Sequence, residues 1–153
     1  MKYCHRKAIV GQAFIAALLT YWAAPAIAAD LQYQCALDPV AFDNSTVLNT
    51  VGKGSITATL SGRMLAISGS YAGLSSNATA AHIEMGLALG VPGPVIGDVK
   101  VSGDTSGRIS GSVTLNAAQI GALKQGGLSV VVDSAKAPDG NLWGWLQTAD
   151  QSQ

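Results

Sequence analysis

The chain predicts an all-β domain, an antiparallel β-sandwich or barrel with Greek-key-like connections and one short helix near residues 117–125. Three observations carry this. Short runs alternate apolar with small polar residues at period two. Clusters of Gly, Asn, Asp and Pro separate those runs at hairpin spacing. Only one stretch, after Asn116, reads at helical period with a cap before it and glycines after it.

The N-terminus is a separate element. Lys2, His5, Arg6 and Lys7 precede an apolar run, Ala8–Trp22, and Ala26 and Ala28 then have the small-x-small spacing of a signal-peptidase site. The run is shorter than the roughly 18–20 residues that span a bilayer. Residues 1–28 are therefore expected to be a cleaved signal peptide, 29–148 a single domain, and 149–153 a disordered polar tail. The expected address is periplasmic or secreted. No second long apolar segment follows, so the mature chain is expected to lack a transmembrane span.

The strands follow in order. In "LQYQCAL" Leu31, Tyr33, Cys35 and Leu37 share a face. Asp38–Gly54 is a long polar connection. Ser55–Leu60 and Met64–Tyr71 flank Ser61-Gly62-Arg63 as a hairpin, with Ile56, Ala58 and Leu60 on one face and Leu65, Ile67 and Tyr71 on another. Thr79–Met85 is the next strand, and "GLALGVPGPVIG" reads as a loop. Asp98–Ser102 and Arg108–Leu115 pair around "GDTSG". Asn116 caps a helix over Ala117–Gln125, which Gly126-Gly127 ends. Leu128–Asp133 is a continuous Val-rich strand. Pro138-Asp139-Gly140 reads as a turn before a last strand, Asn141–Leu146.

Charge and cysteines narrow the function. Three of the nine Lys and Arg residues lie in the leader, so six cations face nine carboxylates in the mature chain, a net charge of −3. That balance offers nothing to nucleic acid. Cys4 leaves with the leader, and Cys35, alone on an apolar alternation, is expected to be buried, the alternative being a bridge to another chain. No nucleophile elbow marks a serine. A two-carboxylate site from Glu84 with Asp98 or Asp133 lacks the aromatic residues expected to line a sugar cleft. The glycine-rich "GDTSG" precedes no helix and reads as a hairpin turn rather than a phosphate cradle.

Two features remain. In "TAAHIEMG", His82 and Glu84 share a strand face. In "NLWGWL", Leu142 and Leu146 take one face, and Asn141, Trp143 and Trp145 take the other. If the leucines face the core, two neighbouring indoles face outward, which is the composition of an interface anchor. The apolar stretch "MGLALGVPGPVI" would extend that patch.

From Leu31 to Leu146 the order of motifs resembles the CHRD (chordin-type) domain, in a bacterial secreted form. "LQYQCAL" stands where the family opens with an F-x-A-x-L strand. "GSYAGLSS" matches a glycine-led hairpin ending in tyrosine. "TAAHIEMG" stands where the family reads T-A-A-H-I-H-G, and "GPVIGDV" where it reads G-P-V-V. "LNAAQIGALKQGGLSVVVDS" fits helix, glycine, then strand, and "APDGNLWGWL" fits the closing P-x-G-E-I-R-G-Q-L. The resemblance implies a secreted, non-catalytic all-β module. It also locates the departures: Glu84 replaces a second histidine, Asp133 stands at a late histidine-like position, and tryptophans replace polar residues at 143 and 145. If the family's histidines form a polar or metal-binding cluster, His82, Glu84 and Asp133 are its counterpart here. They would hold a divalent ion provided their two strands are neighbours.

The sequence thus points first to a protein-binding module or small accessory subunit of an exported complex, with a periplasmic dehydrogenase assembly as one setting. Its anchors would be Trp143 and Trp145, and its partner is free to be membrane-bound. The alternative is a small periplasmic metal-binding protein using His82, Glu84 and Asp133. No catalytic residues are assigned, and the chain is not expected to be an enzyme.

Overall fold

The computed structural model describes residues 30–40, 47–88 and 90–148. The signal-peptide and tail assignments lie outside them. Among the described residues, nine strands and one helix follow in chain order: β1 (Leu31–Pro39), β2 (Lys53–Ser61), β3 (Met64–Ala72), β4 (Ala78–Met85), β5 (Val95–Val101), β6 (Gly107–Thr114), α1 (Ala117–Lys124), β7 (Leu128–Ser134), β8 (Ala137–Trp145) and β9 (Gln147–Thr148).

All pairings are antiparallel. The sheet order β2-β3-β6-β5-β4-β7-β8-β1 closes through β1–β2, giving an eight-stranded barrel with the two-residue β9 against β1. The sequence left sandwich and barrel open; closure decides for the barrel. The run β3-β6-β5-β4 is a Greek key, because β4, β5 and β6 form two successive hairpins that fold back onto β3. β1 and β5 are the corners. β1 pairs with β2 over Leu31–Leu37 and with β8 only at Asp38 and Pro39. β5 pairs with β4 from Val95 to Val99 and with β6 at Lys100 and Val101.

The interior follows the alternation read from the sequence. Ile56, Ala58 and Leu60 of β2, Leu65, Ile67 and Tyr71 of β3, and Ile109 of β6 are buried. They join Leu128, Val130 and Val132 of β7 and Leu142 and Leu146 in one core. Glycine has a packing reason at position 69, where a Cβ would meet Ile56 Cδ1 at 2.6 Å, and at 97, where it would meet Val113 Cγ2 at the same distance. The helix begins with a capping box: Asn116 Oδ1 accepts from Gln119 N–H at 2.9 Å, and Gln119 Oε1 accepts from Asn116 N–H at 2.8 Å. It ends at Gly126, whose φ of 73° lies in the left-handed region.

Two sequence readings need correction. Val95–Gly97 belong to β5 rather than to the preceding loop, because β4 supplies backbone partners as far as Glu84, opposite Val95. Pro138-Asp139-Gly140 is not the β7–β8 turn; that turn is Ala135-Lys136. The three residues sit inside β8 as a bulge, where Pro138 has no N–H to give and Gly140 takes φ 130°. Asn141, which the alternation puts on the tryptophans' face, is fully buried. It accepts from Ser134 Oγ at 3.0 Å and donates through Nδ2 to the Val51 carbonyl at 2.7 Å, pinning the long connection to the barrel wall.

Cys35 is partly buried and unbridged. Its thiol is pushed up to about 12 by burial. A Cβ at Gly144 would meet its sulfur at 3.1 Å and collide with the Ala36 carbonyl, so β8 has glycine where β1 crosses it.

Candidate functional site

β7 supplies the centre of the site. All seven of its residues are buried, a pattern that requires both faces of the strand to be covered. Leu128, Val130 and Val132 face the barrel core. By alternation Ser129, Val131 and Asp133 face outward, yet Val131 is only 1% exposed and lies outside the core cluster. A second buried layer therefore sits on the outer wall.

The strand register defines that layer. Across β5, β4, β7 and β8, one row reads Asp98, His82, Val131, Trp143. The next row along β4, β7 and β8 reads Glu84, Ser129, Trp145. Asp133 stands opposite Ala80, two residues along from Val131 on the same face. Every residue singled out from the sequence for site chemistry is thus brought onto one wall. The neighbouring of residues 79–85 and 128–133, required for His82, Glu84 and Asp133 to meet, is present as the β4–β7 pairing.

His82 is the hub. Its Nε2 lies 3.3 Å from Glu84 Oε1, and its Nδ1 lies 3.4 Å from Asp133 Oδ2. The hydrogen bond to Asp133 raises the imidazole's proton affinity; burial lowers it by less, and the charges of Asp133 and Glu84 raise it further, so the net shift is upward. The other oxygens of both carboxylates, Glu84 Oε2 and Asp133 Oδ1, are buried without a hydrogen-bond partner among the described residues, as is Ser129 Oγ. Each such group costs about 1–3 kcal/mol when left unmade.

The two carboxylates flank opposite nitrogens of one ring, so a single ion bound to His82 has only one of them beside it. Among the described residues, no group of three His, Cys, Asp or Glu side chains is arranged to hold a metal ion.

The tryptophans form the other half of the wall. Leu142 and Leu146 are fully buried in the core, and Trp143 and Trp145 take the opposite face, as the alternation requires. Both indoles are partly buried. Their ring centroids are 5.2 Å apart and the planes tilt by 52°, a favourable aromatic contact. The six-membered ring of Trp145 reaches across β7 to Gly86, where an added Cβ would meet Cη2 at 2.5 Å. Beyond Gly86 the loop turns its apolar residues outward, with Leu87 78% and Val91 44% exposed.

Ser129, Val131 and Gly86 were not singled out from the sequence. The signal for the first two is the unbroken buried character of "LSVVVDS", which implies cover on both faces. Gly86 has no local signal, because its role depends on a ring two strands away.

A family model described as the CHRD domain matches residues 39–146. The match leaves out most of β1, which the motif comparison had included. No curated protein and no solved structure matches the chain. The family model spans most of the barrel, including His82, Glu84, Asp133 and both tryptophans, and the chain belongs to the CHRD-domain family.

Proposed function

We propose that the protein is an exported, non-catalytic protein-binding module that docks as a small accessory subunit on a larger complex, with Trp143 and Trp145 as anchors. CHRD domains are typically extracellular and generally non-catalytic, and they are of a protein-interaction type. One observation carries the reading further: paired indoles lie on the outer barrel wall and continue, through Gly86, into a loop that exposes Leu87 and Val91. Apolar patches of this kind are costly in water and are covered by partners. No described helix is long and apolar enough to cross a membrane. A periplasmic dehydrogenase assembly is the first setting to examine.

The test is affinity capture from the exported fraction of the source cells, with a Trp143→Ala/Trp145→Ala double variant alongside the wild type. Loss of one defined partner from the variant, with folding retained, supports the reading. Equal recovery from both proteins removes the tryptophans from that role.

The second reading, a metal-binding protein, is left with two-ligand sets, His82 with Glu84 or His82 with Asp133. Elemental analysis of protein purified without chelator, together with melting in added Zn²⁺, tests it.

A further inference from the structure

Resting on the protein-binding reading above, we propose that the partner presents a cationic side chain, lysine or arginine, to a subsite formed by Glu84, Ser129 and Trp145. Glu84 and Ser129 are direct neighbours across β4 and β7, and Trp145 is the partner of Ser129 on the other side. Ser129 is fully buried, its Oγ has no hydrogen-bond partner among the described residues, and the same is true of Glu84 Oε2. The other oxygen of Glu84 is engaged with His82, which leaves Oε2 as the carboxylate's unused acceptor.

The chemistry of these groups selects the ligand. Two oxygen acceptors beside an indole ring suit an ammonium or guanidinium group, which donates to the oxygens and is attracted to the ring face. The charge agrees: Glu84 and Asp133 form no ion pair with lysine or arginine among the described residues, and their only ionic contact there is the shared His82. An anionic ligand is repelled. A metal ion on His82 reaches one carboxylate only, as argued above.

Both oxygens are buried, so a cationic group enters only if a side chain of the wall moves aside, and Trp145 is the one that reaches the exposed loop. The far edge of its ring packs on Gly86, at the start of the loop that carries Leu87 and Val91. The subsite thus adjoins the apolar anchor surface, so one partner segment can fill both.

The test is an NMR titration of the folded protein with three short peptides, each N-acetylated and C-amidated, Gly-Lys-Gly, Gly-Arg-Gly and Gly-norleucine-Gly, and separately with Zn²⁺. The signals followed are the indole N–H resonances of Trp143 and Trp145 and the ring resonances of His82. Saturable shifts at Trp145 with the lysine or arginine peptide, at least tenfold weaker with norleucine, are expected. Glu84→Gln is expected to weaken the cationic peptides tenfold and to leave the norleucine response unchanged. Ser129→Ala, a smaller perturbation, is expected to weaken them threefold and serves if Glu84→Gln does not fold. Equal responses to lysine and norleucine peptides, or a response to Zn²⁺ alone, overturn the proposal. Tryptophan-dependent partner capture without any cationic-peptide response overturns this subsite and leaves the docking reading standing. A cationic-peptide response without such capture upholds the subsite and counts against the docking reading.

Discussion

Trp145 lies over Gly86: an added Cβ there would meet the indole at 2.5 and 2.8 Å and the Val91 carbonyl at 2.9 Å. Gly86→Ala must therefore push the ring off its seat or shift the loop. Overpacking of this kind costs about 1–3 kcal/mol. Urea unfolding should show the loss, and Trp145 should become more exposed, with a red-shifted fluorescence maximum. Unchanged stability and emission would show that the ring is not held there.

The pH dependence of stability should carry the signature of His82. Its pKa in the folded protein is raised, chiefly by Asp133, above the ordinary value of 6.5. The protonated ring binds its two carboxylates only in the folded state, so its contribution is fully present below about pH 6.5 and is lost as pH rises through the folded pKa. Melting temperatures of wild type and His82→Gln should accordingly differ most at mildly acidic pH and converge toward alkaline pH. A constant difference across that range would show that the ring contributes only packing.

Cys35 should be inert. With its thiol pushed up to about 12 by burial, almost no thiolate forms near neutrality. A thiol reagent such as DTNB should react slowly with native protein and rapidly after unfolding in guanidinium. Fast native labelling would contradict the buried environment.

The helix should depend on its cap. Asn116→Ala removes the side-chain acceptor for Gln119 N–H and is expected to cost about 1 kcal/mol, whereas Asn116→Ser should recover most of it. Equilibrium unfolding of both variants checks this. Equal losses would indicate that packing of Leu123, rather than the cap, holds the helix.

The alternation of Ile56, Ala58 and Leu60, the Asn116 cap and the two faces of "NLWGWL" were legible in the sequence because each rests on neighbours within one element. Register across strands was not. That Glu84, Ser129 and Trp145 form a row follows from three strands distant in sequence lying side by side, which no local pattern specifies. The Pro138-Asp139-Gly140 misreading has the same origin. The residues do break the regular ladder, but the tight turn at Ala135-Lys136 precedes them, so the break becomes a bulge. The burial of Asn141 is equally non-local, because its partner is a carbonyl at Val51, far back in the chain.

Each of the eight long strands has a hydrogen-bonded neighbour on both sides, β1 and β5 sharing theirs between two partners at the corners. This bears on how recognition is achieved. Many extracellular modules recruit a peptide by letting it add as an extra strand, with backbone amides supplying affinity and little demand on sequence. A closed wall offers no strand a full-length place for that. Selectivity must then reside in side chains projecting from the wall, and a partner's sequence should matter at a few positions rather than along an extended segment.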